Sequence, residues 1–184
     1  LYMNKNFSSL YFTRCPNHKK RESGCQIMKS SRSGGGWGDP VTVEIKTIDS
    51  LDVVGHPTLS SDELTLIFAS ERRTGIGGKD LWISQRESTS EEFGRPRNLS
   101  ININTEGDEL YPYLRNDSTL YFSSDGHGGM GGLDIFVSTL DSLGEWTSPV
   151  NLKSPINSIG NDFGISFHPT EERGFFISNR DTRF

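Results

Sequence analysis

The chain repeats itself about every 54 residues, and this repetition limits the available folds more than any other feature of the sequence. Four apolar segments align, and their phenylalanines, Phe12, Phe68, Phe122 and Phe176, lie 56, 54 and 54 residues apart. A second register has the same spacing and consists of Gln26-Ile27-Met28, Asp80-Leu81-Trp82 and Asp134-Ile135-Phe136. Self-similarity at such a period is typical of architectures built from tandem structural units.

Two further registers follow in the same order within each unit. One is an aromatic residue followed three positions later by proline: Trp37 and Pro40, Phe93 and Pro96, Trp146 and Pro149. The other joins Asn98-Leu99 and Asn104–Asp108 to Asn151-Leu152 and Asn157–Asn161, at a constant offset of 53. Chance does not readily produce four registers in one order.

Each unit has the pattern of four short strands. The first runs into a polar turn such as 60–62 or 115–117, the second is aromatic, the third begins at Asp80 or Asp134, and the fourth lies near the aromatic-x-x-Pro signature. No segment has apolar residues at the helical period of 3.6 residues, so the pattern does not indicate helices. Units of four strands in which each sheet covers its neighbour are propeller blades, so we predict an all-β fold of the β-propeller class.

The predicted blades span about 1–52, 53–108 and 109–161, with a partial fourth blade at 162–184. The whole chain, 1–184, therefore corresponds to about three and a half blades of a partial propeller. A propeller closes by pairing strands from its two ends, and open strand edges are avoided in stable proteins. We therefore expect this chain to be part of a longer polypeptide.

Charge and composition argue against two classes of partner. Nineteen Lys and Arg against 24 Asp and Glu give a net charge of −5, without the basic stripe that a phosphate backbone requires. No run approaches the roughly 20 apolar residues of a membrane span, and the first residues lack a signal-peptide pattern. We expect no nucleic acid partner and no membrane span.

The two cysteines, Cys15 and Cys25, flank a polar, turn-like stretch. This spacing fits a disulfide across a hairpin, and a disulfide would indicate an oxidising compartment. The alternatives are two free thiols or a metal site with His18 as a third ligand, and of these three readings the disulfide is favoured.

The third unit, Leu120-Tyr121-Phe122-Ser123-Ser124-Asp125-Gly126 followed by Gly128–Phe136, resembles the WD40-like, TolB-type propeller repeat of OmpA-family periplasmic proteins of Bacteroidetes. The second unit has the same pattern in Phe68–Arg72 and Gly75–Trp82, whereas the first has cysteines beside the loop and Gln26 in place of the usual Asp. The resemblance implies a periplasmic, outer-membrane-associated scaffold, linked to peptidoglycan or to type IX secretion. Peptidoglycan would be bound only by a domain outside this chain.

The best candidate for a site is the stretch from Asp125 to Asp134, because glycine-rich turns expose amides to anions and carboxylates bind calcium. Its spacing does not fit an EF-hand, a repeat-in-toxin loop or an Asp-box of the sialidase type. We interpret it as a hairpin loop in which Asp80 and Asp134 bond loop amides. The residues predicted to be structural in these loops are Asp80, Asp125, Asp134, Gly129, Gly131 and Gly132. We predict no metal or cofactor.

The distribution of possible catalytic residues argues against an enzyme. The four histidines, His18, His56, His127 and His168, fall in different parts of the repeat, and Ser70, Ser124 and Ser178 recur at one position, which indicates a scaffold role. Trp37, Phe93 and Trp146 are interpreted as packing residues, with carbohydrate stacking as the alternative.

We therefore predict a non-catalytic propeller that binds protein partners through its loops. The alternative is a gating or substrate-binding propeller of a peptidase or glycan-processing enzyme. A third possibility is a small ligand or glycan in the central channel.

Overall fold

The computed structural model describes residues 1–16, 24–48, 52–168, 171 and 173–181. Within these ranges the chain forms fifteen strands in four antiparallel sheets, which follow one another along the sequence. The predicted all-β propeller architecture is confirmed. Sheets succeed each other at the period of the repeat because each unit carries the same strand and turn signals.

The strands are numbered in chain order. The first sheet contains β1 (Tyr2–Met3), β2 (Ser9–Arg14), β3 (Gln26–Ser33), β4 (Gly36–Trp37) and β5 (Val41–Thr42). The second contains β6 (Val54–Leu59), β7 (Thr65–Ser70), β8 (Asp80–Gln85) and β9 (Arg97–Asn98). The third contains β10 (Glu109–Arg115), β11 (Thr119–Ser124), β12 (Asp134–Thr139) and β13 (Val150–Asn151), and the fourth contains β14 (Asp162–Phe167) and β15 (Gly174–Ser178).

The second sheet is covered on both faces, which explains why β7 is apolar on both sides. Leu66 and Phe68 belong to the core shared with the first sheet. Ile67 and Ala69 point the other way and belong to the core shared with the third sheet. Since successive side chains of a strand alternate between faces, a strand between two blades must be apolar at consecutive positions.

The first strands of the sheets, β1, β6, β10 and β14, are the inner strands of the propeller. Direct hydrogen bonds link neighbouring sheets at this level: the Leu114 amide donates to Thr58 Oγ1 over 3.0 Å, and the His56 amide donates to Thr13 Oγ1 over 2.9 Å. The first bond joins the inner strands β6 and β10, and the second ties β6 to β2 of the first sheet, so the side chains at the ends of β6 and β10 occupy defined positions.

A polar cluster replaces part of the apolar packing between the first and second sheets. The carboxylate of Glu63 accepts hydrogen bonds from the Tyr11 hydroxyl at 2.5 Å and from Asn4 Nδ2 at 2.6 Å, and Lys29 Nζ lies 3.6 Å away. Burial opposes the charged carboxylate, but these hydrogen bonds and the Lys29 charge outweigh it and lower the pKa of Glu63. The cluster therefore stays ionised and links the two blades.

At the links between blades, the side chains of two asparagines form paired hydrogen bonds with the backbone of a strand residue, as a neighbouring strand would. Asn104 accepts from the Leu81 amide at 2.8 Å and donates to the Leu81 carbonyl at 2.9 Å. Asn157 makes the same pair with Ile135, at 2.8 Å for each bond. Each side chain satisfies a buried backbone donor and acceptor, which is why the link repeats its asparagine.

Candidate functional site

The glycine-rich loops, residues 71–79 and 125–133, join the second and third strands of their sheets. Asp80 and Asp134 are fully buried at the ends of these loops. Asp80 accepts from the amides of Ile76 and Gly77, and Asp134 accepts from the amide of Met130. The structure thus places both carboxylates where the repeat predicts them, bonded to loop amides.

Three glycines of the second loop, Gly129, Gly131 and Gly132, lie where no side chain fits. A Cβ on Gly129 would lie under 3.0 Å from the Asp134 carboxylate, which real Cβ atoms essentially never show. A Cβ on Gly131 would meet the Gly160 carbonyl, and one on Gly132 would meet the Asn161 side chain. Gly131 and Gly132 are glycines because the loop packs directly on the link to the next blade, and Gly129 because the loop passes close to Asp134.

Asp125 connects the same loop to the preceding link. Its Oδ1 accepts from the Asp108 amide at 2.8 Å, and its own amide donates to the Asp108 carbonyl at 3.4 Å. Loops and links therefore alternate in contact across one end of the molecule. In this contact belt the carboxylates of Asp108 and Asp125 accept hydrogen bonds from backbone amides of the adjoining loop and link, which makes it a rigid support.

The apolar residues at the loop tips remain exposed above this support. Ile76 and Met130 occupy the same position in adjacent blades, and their exposed fractions are 42% and 44%. Ile159, in the link beside Gly131, is 89% exposed. We call this end of the molecule, with its three apolar side chains, the loop face.

In the first sheet a Cys15–Cys25 disulfide joins the strands on either side of the corresponding loop. The Cys25 carbonyl accepts a hydrogen bond of 3.0 Å from the Val54 amide of the next sheet. His18, the third ligand in the metal alternative, lies outside the described residues. At the loop between the second and third strands, the first unit thus has a disulfide, whereas the second and third units have an aspartate and glycines.

The inner strands carry a feature that the sequence analysis missed. Each of β6, β10 and β14 contains a bulge, and the residues His56, Tyr111 and Gly164 take φ values of 51°, 52° and 66° there. Positive φ is costly for residues other than glycine, and bulges re-aim side chains. The repeated dipeptides His56-Pro57 and Tyr111-Pro112 were the available signal.

The bulges bring three rings into a stack along the axis. The rings of His56 and Tyr111 are 4.0 Å apart at 18°, and those of Tyr111 and Phe163 are 4.9 Å apart at 29°. The Tyr111 amide points to His56 Nδ1 at 3.4 Å. Burial, with the nearby charge of Lys79 as a smaller cause, lowers the pKa of His56 to about 4. The imidazole is therefore neutral at pH 7.

A cup lies at the opposite end of the inner strands, where they turn into the second strands. It encloses about 280 Å³ and is lined by Tyr2, Lys5, Tyr113, Arg115 and Phe167, among others. The Arg115 guanidinium lies 4.5 Å from the centroid of the Phe167 ring. The cup has an aromatic wall and two cationic side chains.

The other candidate residues lie apart from one another. Phe93 and Trp146 are 0% and 7% exposed and pack between blades, whereas Trp37 is 44% exposed. His127 Nε2 lies 2.8 Å from the Ile103 carbonyl, and His168 Nε2 lies 3.6 Å from Glu171 Oε1.

Among the described residues, no three His, Cys, Asp or Glu side chains are grouped so as to hold a metal ion. The same part of the chain contains no helix with the length and apolar character needed to cross a membrane.

No family model matches the chain, and no curated protein matches it. Among solved structures it is similar to part of a puromycin-hydrolyzing peptidase of Mycobacterium tuberculosis, with a TM-score of 0.53 and 18% identity. The similarity covers 87% of this chain and 22% of the peptidase chain. At this identity it shows the fold alone.

Proposed function

We propose that this chain is a non-catalytic propeller that binds a protein partner through its loop face. The observation that carries the proposal is the repeated exposure of Ile76 and Met130 at equivalent loop tips of adjacent blades. Apolar side chains that project from a rigid base lose little conformational freedom on binding, and methionine adapts well to partner surfaces. Binding by rigid display requires no chemistry from the chain.

The proposed location is the periplasm, in association with the outer membrane. The Cys15–Cys25 disulfide supports a compartment outside the cytoplasm, because thiols stay reduced in the cytosol of most cells. The repeat resembles OmpA-family proteins, so the proposed setting is a peptidoglycan-linked assembly such as that of type IX secretion. Contact with peptidoglycan would come from another domain.

Site-specific photo-crosslinking tests the loop-face proposal in cells that produce the full-length protein. A benzophenone amino acid replaces Met130, and the matched control replaces Leu143, which is 84% exposed beyond the other end of the same strand, β12. We expect a discrete adduct from position 130 and none from position 143. Equal labelling at both positions, or no adduct at 130, would refute the proposal.

The second candidate function is a gating or substrate-binding propeller of a peptidase or glycan-processing enzyme. The similarity to part of a puromycin-hydrolyzing peptidase favours it. Assaying the full-length protein on puromycin and on aminoacyl anilides separates the two proposals. Hydrolysis that disappears with a serine-directed inhibitor would favour the second and count against a purely non-catalytic protein.

A further inference from the structure

The cup at the turn ends of the inner strands has the features of a ligand site. Its volume of about 280 Å³ lies near the lower end of the ~300–1,000 Å³ typical of ligand pockets. Side chains from all four sheets line it, including Met3, Leu59, Tyr113 and Phe167. A cavity of this size takes one small molecule rather than a folded partner.

Arg115 is held in place but keeps its hydrogen-bond donors available. Its guanidinium lies over the Phe167 ring at 4.5 Å, and that ring also contacts Tyr113 and Tyr121 at 5.8 and 4.9 Å between centroids. Stacking occupies the face of the guanidinium and leaves the N–H groups at its edge. Such a preorganised fork matches a carboxylate.

The charges of the cup are unbalanced. Within the described part of the chain, neither Arg115 nor Lys5 forms an ion pair with an acidic side chain. Among the described residues that line the cup, the carboxylate is that of Asp117, which accepts hydrogen bonds from the amide and the hydroxyl of Ser61 on the neighbouring sheet. Among the side chains that line the cup, the two cations therefore outnumber the engaged Asp117. The other carboxylates near Tyr2, Asp62 and Glu63, are engaged elsewhere, by Ser60 and by Tyr11, Asn4 and Lys29.

From this arrangement we propose that the cup binds a small carboxylate-bearing ligand, with Arg115 and Lys5 on the carboxylate and the aromatic wall on the ligand body. An acidic sugar and the carboxyl end of an amino acid share this chemistry. The site is independent of the loop face, which lies at the other end of the strands.

Isothermal titration of the full-length protein with two acids and their neutral counterparts tests the proposal. The pairs are glucuronate with glucose, and N-acetylphenylalanine with its amide. We expect at least one acid to bind, and its neutral counterpart to bind about tenfold more weakly or less, since charge-assisted bonds are the strong ones. The acid that binds more tightly identifies the source of the carboxylate.

Variants separate a specific cup from general surface charge. Arg115→Gln should weaken acid binding by about tenfold or more, whereas Arg95→Gln, the same charge change at an exposed outer position, should leave it unchanged. Asp117→Asn should strengthen binding by about twofold, because a like charge leaves the cup. Far-UV circular dichroism and melting temperature report whether each variant is folded.

Three results would overturn the proposal. They are the absence of binding by either acid up to about 10 mM, equal binding of acid and neutral counterpart, and equal losses for folded Arg115→Gln and Arg95→Gln.

Discussion

Replacing Gly131 with alanine should loosen the contact between the glycine-rich loop of the third sheet and the link to the fourth. A Cβ at position 131 would lie 2.7 Å from both the Ile159 carbonyl carbon and the Ser158 carbonyl oxygen, and closer still to the Gly160 oxygen. All three neighbours are backbone atoms, so no side chain can rotate away. The link itself must move.

The expected cost follows from two opposing terms. Forcing an extra carbon into a closely packed contact costs about 1–3 kcal/mol. Alanine also lowers the conformational entropy of the unfolded chain, which stabilises the folded state by about 0.4–1 kcal/mol. The net expectation is a loss of about 1–2 kcal/mol in the free energy of unfolding. For a chain of this size, each kcal/mol lowers the melting temperature by about 2–4 °C.

Gly128 provides a matched control in the same loop. A Cβ there would meet nothing within 4 Å, and the residue does not take the positive φ that favours glycine. Gly128→Ala should therefore keep or slightly raise stability, through the unfolded-state term alone. Urea unfolding followed by tryptophan fluorescence and thermal unfolding followed by far-UV circular dichroism measure both variants against the parent chain.

The difference in stability between Gly131→Ala and Gly128→Ala is the decisive measurement. If Gly131→Ala and Gly128→Ala unfold at the same urea concentration, the loop does not press on the link as described. A loss at Gly128 alone would also contradict it. Either result would remove the rigid support assumed for the loop face.

Three other perturbations have defined outcomes. The free energy of unfolding should fall by up to about 3 kcal/mol as the pH is lowered from 6.5 to 4. The reason is that His56 is protonated near pH 6.5 in the unfolded chain but only near pH 4 in the folded chain. His56→Phe should reduce this pH dependence, as measured by urea unfolding at a series of pH values. Replacing Cys15 and Cys25 with serine should cost about 3 kcal/mol for a loop of this length, and an unchanged urea midpoint would contradict a stabilising bridge. Asn157→Ala should cost about 1–3 kcal/mol, since it leaves the buried amide of Ile135 unpaired while the Ile135 carbonyl keeps the Leu152 amide, and retention of the parent melting temperature would contradict this.

Residues that repeat along the chain could be placed from the sequence because each blade needs the same contacts. Asp80 and Asp134 start equivalent strands and bond equivalent loop amides, and the second strands pack on both faces as their apolar pattern predicts. Phe93 and Trp146 are buried between blades, as packing residues should be. A repeated physical requirement leaves a repeated signal, which makes it visible in one sequence.

The axial residues could not be predicted, because blades contribute different side chains to one shared space. His56, Tyr111 and Phe163 meet through bulges that shift their register, and nothing in their chemistry repeats apart from the two prolines that follow His56 and Tyr111. The contacts between neighbouring inner strands join residues about 55 positions apart in sequence, so no local pattern reports them.

The difference between repeated and unrepeated residues also indicates which positions of this fold can carry ligand-binding side chains. The repeated aspartates, asparagines and loop glycines are bonded or in close contact, so changing one disturbs the stacking of blades. Arg115, at the end of an inner strand, makes no such side-chain hydrogen bond with any residue that the structure describes: its guanidinium is stacked on the Phe167 ring and its donors remain open. A propeller built in this way can change its ligand by changing end residues such as Arg115 while its blades stay the same, because the apolar cores, the loop and link contacts and the hydrogen bonds between inner strands hold the sheets together.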